Sequence, residues 1–438
     1  MLPGKDIRMR ETFVRFESFV KNHKPYFLLA IFSLALLLRL FYNFGFLDGN
    51  SSIGTKWFRS ADSYSYYTAA HQILHFQYSS FDRAPFFPFV IAIVQAIFGR
   101  DPIHLRIILS IMGSFTCLLI FLVGDMVFNT SVAVFASLVS VFYLPLIILN
   151  SMILSETLFV LLTLLSLLFI FKLLRDKKPM YCVLSGVFMG LAALTRSEFL
   201  FIISLMLIAL WIAKRKERFG KYILIILVIV MVLTVPWSIY ASVKNHTVVP
   251  ISAIGGITFF GANNPKILTV EFYKKGQWLW ITDTWLMSKE DLATIKGMTW
   301  GELSDFLYRR SLQWLVHNPG KVPTLLMWKQ FAFWFSPIQF TSNFIEDPKA
   351  SSMTISYCVQ YFIILIMFLL GALKTFSFRK HFPFLVYLVG ELVIVSIYYG
   401  NWRSISFLQP AFLLFAAALI FEPRHRRVRS SKAEKVAV

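Results

Sequence analysis

Apolar residues in this chain run in stretches of about 20, longer than the alternating strands or striped helices of a water-soluble fold require. Ten such stretches lie at about 27–47, 106–127, 131–149, 154–173, 180–196, 198–213, 221–243, 355–373, 382–399 and 404–421. A helix of ~20 apolar residues crosses the ~30 Å hydrocarbon layer, so the pattern predicts an all-α, multi-pass membrane protein with about ten transmembrane helices. The stretches at 180–196 and 198–213 are short for spans and read as tilted neighbours joined by a tight turn. Two further apolar stretches, 84–99 and 321–338, are interrupted by aromatics and by Pro85, Pro88 and Pro337. They read as amphipathic helices on the membrane surface; counting both as crossings would raise the number to twelve.

Composition agrees with this reading. The chain has 438 residues, 57% of them hydrophobic and 15% charged, against ~45–50% and ~25% in soluble domains. Its three cysteines, Cys117, Cys182 and Cys358, each sit in apolar sequence, which argues for buried thiols over a disulfide framework.

The net charge of +20 raises the question of nucleic-acid binding, and its distribution answers it. Residues 1–25, 172–179, 214–221, 374–380 and those after Phe421 hold 24 of the 43 Lys and Arg but seven of the 23 Asp and Glu. Short basic connectors between spans mark the cytoplasmic side, so the charge reports topology and no nucleic-acid partner is expected. Ten crossings put every basic connector inside and the two long loops, 48–105 and 244–354, outside. The expected organisation is a cytoplasmic basic N-terminus at 1–26, a membrane domain at 27–421 and a cytoplasmic basic tail at 422–438. The basic N-terminus and the following apolar run, without an Ala-x-Ala site, read as a signal anchor.

Against that topology, conspicuous polar residues from six distant positions arrive on the outer face. They are Asp62 in Ser60-Ala61-Asp62-Ser63-Tyr64, Arg83 in Asp82-Arg83-Ala84-Pro85, Glu156 at a span start, Arg196 and Glu198 in a tight turn, Asn263-Asn264-Pro265, and Arg403 in the last outer turn. Ionisable groups at membrane depth cost ~2.5–3.5 kcal/mol on insertion scales, so they pair or serve a site. A carboxylate among several arginines suits a general base beside an anionic ligand, since the guanidinium fork donates two hydrogen bonds to a phosphate. Each residue also has a structural reading. Asp62 can cap a helix, Arg83 can snorkel to headgroups, Glu156 and Arg196 can form a structural pair, Arg403 can anchor a helix end, and the Asn-Asn-Pro run can be an ordinary turn. Their common sidedness is the stronger signal. His71 and His75 are four apart but lack a third ligand, so no metal site is expected.

At these residues the sequence resembles the GT-C class of integral membrane glycosyltransferases, in particular the branch that includes dolichyl-phosphate-mannose–protein mannosyltransferases and the lipid A aminoarabinose transferase. The resemblance rests on Asp62 with Tyr66 and Ala70, on Arg83-Ala84-Pro85-Phe86-Phe87-Pro88, on Ser155-Glu156, and on Gly190–Arg196. It extends through Gly255-Gly256 and Gly261-Ala262-Asn263-Asn264-Pro265 to Arg403 with Pro410, so it covers about residues 27–421. It implies transfer of a sugar from a polyprenyl-phosphate donor to a lipid, glycan or protein hydroxyl at the outer face of the plasma membrane, with inversion. Asp62 is then the general base, and Arg83, Arg196 and Arg403 hold the donor phosphate. Tyr66, Glu156, Asn263 and Asn264 border the substrates. Members of the class differ in whether they need a divalent metal, and no ligand cluster decides it here.

Two other classes compete. A transporter or lipid flippase would place charges at the membrane midplane and repeat its fold, but no repeat is evident and Glu391 is the nearest mid-span carboxyl. An oligosaccharide polymerase or ligase also uses outer-face arginines, but Asp62 and the Arg83–Pro88 run favour the monosaccharide transferase.

Overall fold

The computed structural model describes residues 15–47, 61–217, 219–268, 287, 289–337 and 348–422. The expected basic tail beyond 422, most of the basic N-terminus, the start of the first long loop and parts of the second lie outside them. The described residues are helical, without a strand. In chain order the helices are α1 (Lys24–Leu40), which continues as a π-helical segment over Phe41–Leu47, then α2 (Ala61–Leu74), α3 (Phe86–Phe98), α4 (Pro102–Val127), α5 (Thr130–Phe142) and α6 (Leu144–Ser151). Next come α7 (Glu156–Asp176), α8 (Pro179–Thr195), α9 (Phe199–Lys214), α10 (Gly220–Asn245) and α11 (Ile254–Ala262). The last are α12 (Lys289–Thr294), α13 (Trp300–His317), α14 (Val322–Trp334), α15 (Pro348–Thr375), α16 (Phe378–Ile397) and α17 (Gln409–Phe421).

Helices occupy all ten predicted positions. Among the described residues, six are long and apolar enough to cross a membrane: Lys24–Gly45, Pro102–Val127, Glu156–Asp176, Gly220–Asn245, Ser352–Thr375 and Phe378–Ile397. The stretch predicted as one span at 131–149 is instead α5 and α6, bent by 52° at Tyr143; as one span it makes a seventh. Pro145 lacks the N–H that a continuous helix would bond, and the Tyr143 backbone turns extended just before it. The free Leu144 N–H finds the Gln360 side chain at 2.8 Å. The last predicted span, 404–421, opens with a 3₁₀ turn over Ser404–Phe407, so α17 itself has 13 residues. The stretches 84–99 and 321–338 form the short helices α3 and α14, of 13 residues each.

Local chemistry sets the ends. Asp101 and Asn129 accept the Ile103 and Val132 N–H groups at 2.9 and 2.8 Å, capping α4 and α5. Thr299 and Glu302 form a capping box at the start of α13. Glycine permits close helix contacts: a Cβ on Gly190 would stand 2.7 Å from Leu233 Cδ1, and one on Gly186 2.9 Å from Ile229. Gly186-x-x-x-Gly190 is thus a small-residue stripe that seats α8 on α10.

The helices run between two chemically distinct ends. At one, Lys24 pairs with Asp125 (2.7 Å), Lys177 with Glu217 (2.9 Å) and Lys380 with Glu422 (3.2 Å), so the basic connectors sit together. α7 starts at the other end with Glu156 and finishes at the basic end with Asp176. Its 21 residues separate the two ends by about 30 Å, at ~1.5 Å per residue.

Candidate active site

At the end opposite the basic connectors, a cavity of about 440 Å³ opens among loops from five parts of the chain. Asp62 lies in the first turn of α2 and is buried. Its Oδ1 accepts from Arg83 Nη2 at 2.8 Å and its Oδ2 from Arg403 Nη1 at 2.6 Å. The Arg403 Nε stands 3.7 Å from Glu156 Oε1, which also accepts from Arg196 Nη1 at 3.1 Å. Arg196 Nε in turn donates to Glu198 Oε1 at 2.6 Å. At the other end of the chain of charges, Arg83 Nε lies 3.1 Å from Asp82 Oδ2. Four carboxylates and three guanidiniums therefore alternate along the cavity wall.

Each arginine is held by its own element. The turn carrying Arg83 is organised by Gln72 of α2, whose Oε1 accepts from Ser79 N, Ser80 N and Ser80 Oγ at 2.9–3.1 Å. The Ala253 N–H donates to Phe81 O at 2.7 Å and ties this turn to the segment after α10. The Arg83 guanidinium lies over the Tyr66 ring, 5.3 Å from its centroid, and the Tyr66 hydroxyl donates to Ser155 Oγ at 3.1 Å. Arg196 ends α8 in an extended conformation and stacks 4.8 Å from the Phe407 centroid. Asn401 Oδ1 accepts the Arg403 and Ser404 N–H groups at 3.0 and 3.2 Å, an Asx-type turn that aims Arg403 at Asp62.

The electrostatics follow from these contacts. Burial raises the Asp62 pKa, but Arg403 and Arg83 outweigh it, and the carboxyl is held well below the usual carboxylate range. Burial wins at Asp82, whose pKa is raised despite Arg83. Among the described residues, no group of three or more His, Cys, Asp or Glu is arranged to hold a metal ion. The carboxylates nearest Asp62 are engaged by arginines instead.

Of the residues singled out in the sequence, Asp62, Tyr66, Arg83, Glu156, Arg196 and Arg403 all line this one cavity. The helix-cap reading of Asp62 and the anchor reading of Arg403 give way to their mutual ion pair. Asn263 and Asn264 do not line the cavity. Their Nδ2 groups turn back onto the Phe259 and Phe260 carbonyls of α11 at 2.8 and 2.9 Å. Asn263 Oδ1 accepts from Lys329 Nζ at 2.8 Å, and the same ammonium donates to Ser396 O and Ile397 O at 2.9 Å each. The Asn-Asn run thus fastens α11 and α14 to the end of α16, behind the cavity. Gly256, from the same motif, is a packing residue: a Cβ there would collide with the Ser304 carbonyl of α13.

Asp305, Tyr308, Tyr398 and Tyr399 also line the cavity, although no motif in the sequence marks them. Tyr308 and Tyr398 join hydroxyls at 2.6 Å, across 90 residues of sequence. Asp305 and Tyr308 stand three apart on α13, whose amphipathic pattern was the available signal.

A family model for dolichyl-phosphate-mannose-protein mannosyltransferase matches residues 82–240, a segment that contains Arg83, Glu156 and Arg196 but neither Asp62 nor Arg403. No curated protein matches the chain in sequence. Among solved structures, the archaeal oligosaccharyltransferase AglB from Archaeoglobus fulgidus, in complex with an inhibitory peptide and a dolichol-phosphate, superposes with a TM-score of 0.52 at 12% identity, over 90% of this chain and 50% of that one. The apo form from the same organism gives 0.53 at 12% identity, over 90% and 50%. ArnT from Cupriavidus metallidurans bound to undecaprenyl phosphate is a looser likeness, with a TM-score of 0.42 at 14% identity, over 90% and 77%. The chain spans about half the length of the archaeal structures it matches. In sequence over residues 82–240 and in fold over most of its length, this multi-pass membrane chain is similar to integral membrane glycosyltransferases of the GT-C class.

Proposed function

We propose that the protein transfers a sugar from a polyprenyl-phosphate donor to a hydroxyl acceptor, a lipid, glycan or protein, at the extracytoplasmic face of the plasma membrane. The observation that carries this reading is the Asp62 carboxylate gripped by Arg83 and Arg403 in a polar cavity at the end of an apolar bundle. The polyprenyl tail stays in the bilayer beside the helices, and only the sugar phosphate enters. The family match and the dolichol-phosphate in the archaeal structure support a lipid-phosphate donor.

In the reaction, the acceptor oxygen forms a bond to the anomeric carbon as the bond from that carbon to the phosphate oxygen breaks. Asp62 takes the acceptor proton, and polyprenyl phosphate departs with the bonding pair. A single displacement inverts the anomeric configuration. Arg83, Arg403 and Arg196 stabilise the charge that grows on the leaving phosphate. In the resting site, the first two arginines are spent on Asp62 and keep it a weak base. An arriving phosphate competes for those guanidiniums, so donor binding itself raises the basicity of Asp62. Glu156 orients Arg196 and Arg403, and Tyr66 supports Arg83 from below. Among the described residues the carboxylates of the cavity do not form a metal-binding set.

The test compares purified wild type with Asp62→Asn in detergent, supplied with polyprenyl-phosphate sugars and an acceptor-containing membrane extract. Wild type should release polyprenyl phosphate, and the variant should lose at least ~100-fold in rate, the contribution of a general base, while still binding donor. Full activity in Asp62→Asn would sink the base assignment. Absence of turnover with every donor, combined with donor flipping in vesicles, would return the protein to the transporter class.

A further inference from the structure

The cavity has a second carboxyl wall that the phosphate clamp does not use. Glu391 lies on α16, six residues before that helix ends at Ile397, and is 2% exposed. It lines the cavity, yet its Oε1 has no hydrogen-bond partner. Glu198 and Arg196 are the charged groups in electrostatic reach, and neither forms an ion pair with it among the described residues. Glu156 offers a matching feature: its Oε1 is taken by Arg196 and Arg403, while its Oε2 is buried and without a partner. Arg196 bridges Glu156 to Glu198 and lies within electrostatic reach of Glu391.

A buried polar atom without a partner costs ~1–3 kcal/mol, which a ligand supplying the missing donors recovers. Two unpartnered acceptors and a guanidinium in one cavity lining form a mixed set of acceptors and donors. A cation would be repelled by Arg196 and an anion by the carboxyls. A polyol suits both, because each hydroxyl donates and accepts. The ring of Tyr398, also in the lining, provides an apolar surface for a sugar ring.

We infer that Glu391, together with Oε2 of Glu156, forms a subsite that hydrogen-bonds adjacent hydroxyls of a pyranose ring and sets which sugar the cavity accepts. This rests on the glycosyltransferase reading and names a specificity residue within it. The ring belongs either to the donor or to a glycan acceptor, and the experiment separates the two.

The experiment measures binding to the purified full chain in detergent, for wild type, Glu391→Gln and Glu391→Leu. The probes are bare polyprenyl phosphate, polyprenyl phosphate carrying mannose, glucose or galactose, and the free methyl glycosides of the same three epimers. Bare polyprenyl phosphate should bind all three proteins within about twofold, because the arginine cluster is untouched. Wild type should prefer one epimer at least ~10-fold, as expected where a site hydrogen-bonds a hydroxyl. Glu391→Leu should reduce that preference below ~3-fold. Loss of preference among the linked sugars assigns the subsite to the donor, and loss only among the methyl glycosides assigns it to the acceptor. If Glu391→Leu does not fold, the isosteric Glu391→Gln carries the test and must change the preference at least ~3-fold. Unchanged preference in both probe sets overturns the proposal, as does wild-type binding of bare lipid with no epimer discrimination. Failure of wild type to bind even bare polyprenyl phosphate removes the glycosyltransferase reading, and this inference with it.

Discussion

At the level of single residues, the acid–base behaviour of Asp62 follows from its two guanidinium partners. Each cation near a carboxylate lowers its pKa by ~1–3 units, so removing one should raise it. Arg403→Gln is therefore expected to move the acidic limb of the kcat/KM profile upward by about one pH unit or more, since Asp62 then holds its proton at higher pH. Because the wild-type limb lies below the usual carboxylate range, a profile carried from pH 2.5 to pH 7 with a polyprenyl-phosphate sugar tests this, and a limb that stays in place argues that Asp62 is not the titrating base. The same residues explain why single-position reading was ambiguous. An Asp in the first turn of a helix looks like a cap wherever it occurs, and Arg403, 341 positions away, decides that here it is an ion-pair partner.

Among the elements, α16 connects the cavity to its support. Its last carbonyls are closed by Lys329, which is 2% exposed and whose nearest acceptors are Asn263, Ser396 and Ile397. Burial lowers the Lys329 pKa to about 7. Between that value and the ordinary lysine value near ~10.4, the unfolded chain holds a proton that the folded protein has released. Stability linked to this lysine thus rises with pH from about 7 upward and is least below it. The thermal unfolding midpoint in detergent should climb between pH 7 and pH 9.5, and Lys329→Met should flatten the climb. An unchanged slope in the variant would assign the pH dependence elsewhere. The bend between α5 and α6 is a second matter of elements. Apolar content alone made 131–149 a span, and Pro145 with the Gln360 side chain broke it.

For the whole molecule, the separation of basic connectors from the cavity gives the proposed sidedness a direct test. Gln77, exposed in the turn after α2, and Lys177, exposed between α7 and α8, lie at opposite ends of the bundle. A membrane-impermeant thiol reagent added to intact cells should label Gln77→Cys and spare Lys177→Cys. The reverse labelling would invert the topology and put the cavity in the cytoplasm.

Legible along the chain were the membrane class, the positions of the ten apolar helices, the clustering of basic connectors and seven charged and aromatic residues of the cavity lining, Asp62, Tyr66, Arg83, Glu156, Arg196, Glu198 and Arg403. These properties are local: hydropathy is summed over ~20 neighbours, and an isolated charge beside an apolar run is conspicuous without reference to anything distant. Tertiary structure alone decided which charges meet. It paired Asp62 with Arg403, set Asn263 against Lys329, and brought Glu391 from a mid-span position into the cavity wall. Those outcomes depend on which faces of helices far apart in sequence pack together. Ion pairs and orphaned acceptors are set by distances of about 3 Å across that packing, a scale on which the order of residues along one chain carries no direct information.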